Sequence, residues 1–447
     1  MLLLNELIAV FNDLLSPANI RFLHNIINCF YCVQKDITVR SLSRYSEYST
    51  RSFFRFLRTN VDWVSLRIAL VQKFVINSDD DRVYILALDE TVEGKSRKRT
   101  YGISKFFSST LDKVVDGVSF SAISLIDTTR AVSYMLGVGQ LIYTDKDRAR
   151  ILAQKEQKKE AKKRQEAGQA KPKGRKKGSK NKTEEEPDNP SFRTFKSLLD
   201  EVMSKLKPVK LTLCYFVADS AFAALHHVRE VQKHGLHLIS KMACNTALHK
   251  ARPKKRGNGM TEGERYDLYN LDDAYLKETR DEGDKTIKVY QIQALNPSLK
   301  GVLLNVVVIL CISKAGEKKG IKILFCTDLG LSYDLVEKYY SLRFQIEFDF
   351  DDAKHRFGLS SFKNYKEQNV TNFVNMIFFM CTYNKIALEK ERKNSGNENL
   401  SVNDLKIIQN YRFIAKSVIN KVKKCPDLIF NSAFWNNYNP EISINRA

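Results

Sequence analysis

Tyr340, Arg343, Glu347 and Lys354 follow one another at spacings of three, four and seven residues. At about 100° per residue, these four fall within roughly a 60° sector of a single helix. A hydroxyl, a guanidinium, a carboxylate and an ammonium would then share one edge. Tyr, Arg and Lys hold phosphate oxygens, and a glutamate can complete a metal site. Beside that edge Leu335, Tyr339, Leu342, Ile346 and Phe350 form an apolar stripe, the face expected to pack on a sheet. The competing reading is a solvated charged face. Two more carboxylates, Asp89 and Asp219, end the apolar runs VYILALDE and LTLCYFVADS. A carboxylate beside a buried strand is costly unless paired. A divalent cation is one efficient partner, and hard oxygen donors at strand ends suit Mg²⁺. For either aspartate alone the alternative is a cap on the following helix. Asp351, one turn beyond Glu347, is a competing ligand.

Positioning such groups needs strands for the aspartates and a helix for the glutamate. VYILALDE reads as a strand buried on both faces. VVDGVSFSAISLID and AVSYMLGVG read as further strands of a meander, and LTLCYFVADS, AFAALHHVREVQKHG and LHLISKM as strand, helix, strand. This alternation predicts a layered α/β core. The division expected is a helical DNA-binding domain over 1–75, a first core segment over 76–244, and a β-rich insertion over 245–328. A second core segment over 329–390 and a helical C-terminal region with a tail over 391–447 complete it.

The rest of the chain concerns binding. Within DITVRSLSRYSEYSTRSFFRFLRTN two short helices are expected, the second capped by Ser49 or Thr50. Arg51, Arg55 and Arg58 would share one face of that second helix, with Phe54 and Leu57 turned to a core. A basic stripe backed by apolar residues suits a helix that enters a DNA groove; a solvated face of a small bundle is the alternative. Residues 153–190 carry almost no large apolar side chains. Their first part can be helical, and PKGRKKGSKNK, with Arg175, Lys176 and Lys177, reads as a flexible basic arm that contacts DNA or remains a solvated linker. Lys+Arg 73 against Asp+Glu 51 gives +22 over 447 residues; such an excess points to a polyanion. Cys29 and Cys32 form a lone C-x-x-C without a second pair, which favours buried thiols over zinc. Cys214, Cys311 and Cys326 in apolar runs suit core packing in a reducing compartment. No secretory or membrane-spanning segment is expected, so the location expected is cytoplasmic, at the nucleoid.

The pattern Tyr340-x2-Arg343-x3-Glu347-x6-Lys354 resembles the Y-x2-R-x3-E-x6-K signature of one branch of the bacterial insertion-sequence transposases with a DDE active site. LALDET with Asp89, FVADSAF with Asp219, a strand-rich insert and then Glu347 follow in that family's order, over about residues 80–390. The resemblance implies an α/β fold: an RNase-H-like mixed sheet flanked by helices, with a β-rich insertion. It also implies Asp89, Asp219 and Glu347 as ligands of two Mg²⁺ ions (Mn²⁺ substituting), which promote in-line displacement at phosphorus. Tyr340, Arg343 and Lys354 would grip double-stranded DNA near the scissile phosphate. Cutting at inverted-repeat ends and joining of the 3′ ends to target DNA by a homodimer complete the expectation. Some members stabilise a flipped base with tryptophan during hairpin formation. Trp63 and Trp435 both lie outside the interval between Asp219 and Glu347, so Phe344 or Tyr290 would have to substitute. A catalytically silent DNA-binding descendant and a non-transposing metal nuclease are the alternatives.

Overall fold

The computed structural model describes residues 4–76, 82–96, 99–108, 111–167, 187–253, 259–313 and 319–424. Five helices come first: α1 (Leu4–Phe11), α2 (Pro17–Cys32), α3 (Val39–Ser43), α4 (Thr50–Phe56) and α5 (Trp63–Phe74). Strands β1 (Tyr84–Gly94), β2 (Ser104–Ser108), β3 (Lys113–Asp127) and β4 (Val132–Gln140) precede helices α6 (Asp145–Glu166) and α7 (Pro190–Leu206). Then come β5 (Leu213–Ala218), α8 (Leu225–Lys233) and β6 (His237–Met242). The strand-rich stretch holds β7 (His249–Pro253), β8 (Met260–Arg265), β9 (Leu276–Glu282), β10 (Lys285–Leu295), β11 (Leu303–Ser313) and β12 (Lys319–Cys326). Helices α9 (Tyr333–Leu342) and α10 (Gln345–Asp351), a π turn (Asp352–Arg356), α11 (Glu367–Ser395) and α12 (Val402–Lys424) follow.

The described strands form one 12-stranded α/β sheet, mostly antiparallel. Its middle reads β4-β3-β1-β5-β6, with β3 antiparallel to both β1 and β4, and with β5 and β6 running parallel to β1. Tyr84–Leu88 are all buried, because β1 has a neighbour on each edge and helices on both faces. Residues 245–328 do not make a sheet of their own. β12 pairs with β6 from Cys326↔Ile239 to Ile323↔Met242, so their strands extend the core sheet.

Period-two alternation sorts the helices into two layers. Leu86, Leu88, Phe216 and Ala218 belong to one core cluster with Val202 of α7, Val228 of α8 and residues of α11. Ile85, Ala87 and Val217 belong to the other, with Val336, Tyr339 and Leu342 of α9. The N-terminal helices share the first cluster, which runs from Leu7 to Leu405, and they are tied to α11 by polar contacts as well. Trp63 Nε1–H donates to Asn372 Oδ1 at 2.8 Å, and Tyr31 O–H donates to Asn384 Oδ1 at 3.0 Å. Arg67, fully buried, donates to the carbonyls of Leu136 and Asn375 and to Asn375 Oδ1. Gly358, at φ +90°, meets the same helical unit: a Cβ there would stand 2.6 Å from Ile37 Cβ. Only glycine satisfies both the dihedral and that approach.

Two sequence expectations change. The single helix expected to carry Tyr340, Arg343, Glu347 and Lys354 is broken at Arg343–Phe344 and ends in the π turn. Cys214 is exposed and Cys311 half-buried, so only Cys326 of that trio packs in the core. Phe54 packs partly buried against the core and Leu57 is buried in it, as expected, with Phe53 and Phe56 beside them. Cys29 and Cys32 are free and buried, as expected. The basic insert begins as the exposed helix α6, anchored where Asp147 accepts from Arg193 and the Thr144 amide. No described helix is long and apolar enough to cross a membrane.

Candidate active site

Strands β1 and β5 are parallel neighbours with Leu88 opposite Ala218. Asp89 and Asp219 are therefore the next residues on strands about 4.8 Å apart. They continue the faces of Ala87 and Val217, toward the α9 layer. Each carboxylate has one oxygen fixed by backbone. Asp89 Oδ1 accepts from the Glu90 N–H at 2.8 Å, and Asp219 Oδ1 accepts from the Ala221 N–H at 2.9 Å, capping the short 3₁₀ turn Ser220–Phe222. The cap expected for a strand-end aspartate is thus present at Asp219 without using its second oxygen.

The helix break brings the third carboxylate. Ile346 and Phe350 of α10 are buried, and this leaves Glu347 half-exposed at the rim. Asp349 anchors α10 to β4: Ser133 O–H donates to its Oδ2 at 2.5 Å, and Lys385 Nζ stands 2.5 Å from its Oδ1. Arg343, at the junction of α9 and α10, spans the site. Its Nη1–H donates to Asp89 Oδ2 at 2.5 Å and its Nη2–H to Glu347 Oε1 at 2.9 Å.

The electrostatics shows the same grouping. Burial pushes the Asp89 carboxyl up to about 6; Arg343 opposes this, while Asp219 and Glu347 add repulsion. Burial also raises the Tyr340 hydroxyl, with Asp219 and Asp89 adding to the shift and Arg343 opposing it. For Arg343 burial disfavours the charge, yet Asp89 and Glu347 hold its pKa above the ordinary arginine value. Asp89, Asp219, Glu347, Tyr340 and Arg343 therefore share one field. Arg343 bonds two of these carboxylates, Asp89 and Glu347. The three acids offer hard oxygen donors only, a donor chemistry that suits a divalent ion, although their oxygens do not all lie within 4.8 Å of one another.

Lys354 is not bonded to these residues. It is half-buried on the π turn, with no hydrogen bond or ion pair to a described residue. The π turn changes the helical phase on which the one-sector expectation rested. Asp351 pairs with His355 at 2.8 Å and Asp352 with Arg356 at 2.6 Å. Tyr290 is buried, whereas Phe344 and Phe348 are exposed and stack edge to face, 5.2 Å between centroids. Trp63 is buried, and Trp435 lies outside the described residues. Arg51, Arg55 and Arg58 are exposed; Ser49 caps α4, and Arg58 lies just past its end. Arg175, Lys176 and Lys177 lie outside the described residues.

One cluster escaped the sequence reading. Asp200, Glu230 and His234 bring ligand atoms within 4.8 Å of one another. The i, i+4 spacing of Glu230 and His234 was the available signal. They sit on or next to α7 and α8, in the layer opposite Asp89 and Asp219. Glu230 is already paired with Lys233 at 2.6 Å and Lys196 at 3.8 Å, so cations of the chain balance it.

No curated protein matches the chain. The family model for the DDE superfamily endonucleases matches residues 21–294, a span that holds Asp89 and Asp219 and stops before Glu347. That span is well over half of the 447 residues, and with two aspartates on adjacent parallel strands it makes this chain a member of the DDE superfamily endonucleases.

Proposed function

We propose that this protein is a DNA transposase of the Y-x2-R-x3-E-x6-K branch. It cleaves at inverted-repeat ends and joins the freed 3′ ends to target DNA. The observation that carries the reading is the pairing of Asp89 and Asp219 on adjacent parallel strand ends, with Glu347 in the same field. The strand order β4-β3-β1-β5-β6, with only β3 of the inner strands reversed, supports an RNase-H-like core within the larger sheet.

In this reading Asp89, Asp219 and Glu347 hold two Mg²⁺ ions, for which Mn²⁺ can substitute. Such ions supply Lewis-acid stabilisation and an activated oxygen nucleophile for displacement at phosphorus. The protein fixes the first two acids through backbone N–H groups and the third through the buried anchor of α10. Tyr340 and Arg343 border the acids and present a hydroxyl and a guanidinium to a phosphate; Lys354 would reach the DNA further along the strand. Arg51, Arg55 and Arg58, with the basic arm around Arg175, Lys176 and Lys177, bind duplex DNA away from the scissile bond. A hairpin intermediate would use the exposed Phe344 to hold an unstacked base. The working unit is a DNA-bound homodimer in the cytoplasm.

The test is cleavage of a labelled duplex carrying the element's terminal repeat, with Mg²⁺, by wild type and Glu347→Gln. Cutting and strand transfer by wild type alone, with the variant still binding the repeat, is the expected result. Cutting without strand transfer would identify a non-transposing nuclease, and binding without cutting by either protein would identify a silent DNA-binding descendant.

A further inference from the structure

We propose that Arg343 and a divalent cation compete for the oxygens of Asp89 and Glu347, so that metal loading releases a guanidinium for the DNA backbone. This rests on the reading that Asp89, Asp219 and Glu347 hold the cation. Asp89 Oδ1 accepts from the Glu90 amide, and Asp89 Oδ2 accepts from Arg343 Nη1–H. The same guanidinium holds Glu347 Oε1 through Nη2. A single planar fork thus bridges the first and third acids, where a divalent ion would have to sit.

The two cations cannot share that place. Mg²⁺ bonds oxygen at about 2.1 Å, so an ion on Asp89 Oδ2 would stand within about 4 Å of the guanidinium. At that separation, and in a site shielded from water, like charges repel strongly. Arg343 is well buried, its side chain being 15% exposed. Its Nε has no hydrogen-bond partner, and the guanidinium is held by Asp89 and Glu347 with the Tyr340 hydroxyl beside it. It also sits at the break between α9 and α10, where the backbone leaves regular helix.

Once displaced, the fork matches two phosphate oxygens as well as it matched two carboxylates. Metal and DNA should therefore bind with positive coupling, each tightening the other by the same factor. Arg343 would then be a positioning residue for the cation as well as a contact for DNA. The arrangement would keep the free protein poorly loaded and favour loading on DNA.

The experiment is Mn²⁺ binding to the full chain, read by electron paramagnetic resonance of the free ion, with and without a plain duplex. Arg343→Gln should bind Mn²⁺ at least ~tenfold more tightly than wild type in the absence of DNA, because the competing charge is gone. Arg343→Lys, which keeps one charge but loses the fork, should fall between them. Duplex should tighten Mn²⁺ binding to wild type and leave Arg343→Gln unchanged. Equal or weaker binding by Arg343→Gln, with Glu347→Gln weakened, would overturn the placeholder while leaving the metal site standing. Binding that is indifferent to Glu347→Gln and Asp89→Asn would remove the metal-site reading, and the placeholder with it.

Discussion

His227 should make this protein sensitive to mild acid. The ring lies on α8 among Phe192, Phe195 and Phe222, with centroids 5.3, 5.1 and 5.2 Å away. The residue is 6% exposed, and neither ring nitrogen has a hydrogen-bond partner. Burial, reinforced by the neighbouring His226, pushes its pKa down to about 3 from an ordinary 6.5. The unfolded chain therefore takes up a proton below about pH 6.5 that the folded chain refuses until about pH 3. This contribution to stability is complete above pH 6.5 and is lost as the pH falls through that window. At about pH 5 the difference is about 1.5 pH units at 1.36 kcal/mol each, or about 2 kcal/mol. Urea unfolding of wild type and His227→Leu at about pH 7.5 and about pH 5 isolates this effect, since the other titrating groups cancel between the two proteins. Wild type should lose about 2 kcal/mol more than the variant on acidification. Parallel losses would mean that the His227 ring meets water or a partner and titrates as it does in the unfolded chain. The consequence reaches the site, because Phe222 belongs to the 3₁₀ turn that Asp219 caps.

Other consequences follow from single contacts. Asp349→Asn leaves Lys385 without its carboxylate, which should cost about 3–5 kcal/mol; Asp349→Leu with Lys385→Leu should recover part of this in denaturant unfolding, and a single-variant cost below about 1 kcal/mol would deny the pair a structural role. Arg67→Leu strands the Leu136 and Asn375 acceptors, and a loss of about 3 kcal/mol is expected in the same assay. Changing Arg51, Arg55 and Arg58 together to alanine should lower the salt slope of duplex binding, read by anisotropy, by about 3. An unchanged slope would take α4 off the DNA.

Local sequence determined the parts of this molecule and the layers they face. The apolar run before Asp89 specifies a buried strand, since the five consecutive residues Tyr84–Leu88 have no polar face to turn to water; in the run before Asp219 only Phe216–Ala218 are buried. The stripe of Leu335, Tyr339, Leu342, Ile346 and Phe350 specifies which side of the following helices packs, and those residues are indeed buried or half-buried. Spacing of four residues was enough to bring Arg343 and Glu347 together. Tertiary structure decided what periodicity cannot carry. The register Leu88↔Ala218 joins strands far apart in sequence. The break at Arg343–Phe344 and the π turn interrupt the helix that carries Tyr340 through Lys354, and the pairing of β12 with β6 joins the strand-rich stretch to the core sheet. Arg67 reads as a surface residue by type, yet three acceptors from two other elements bury it. Cys214 lies in an apolar run but on an exposed position of β5. Periodicity records which side of an element avoids water; the partner across the gap, and therefore register, burial of a charge and the line of a helix, is set by residues that only folding brings near.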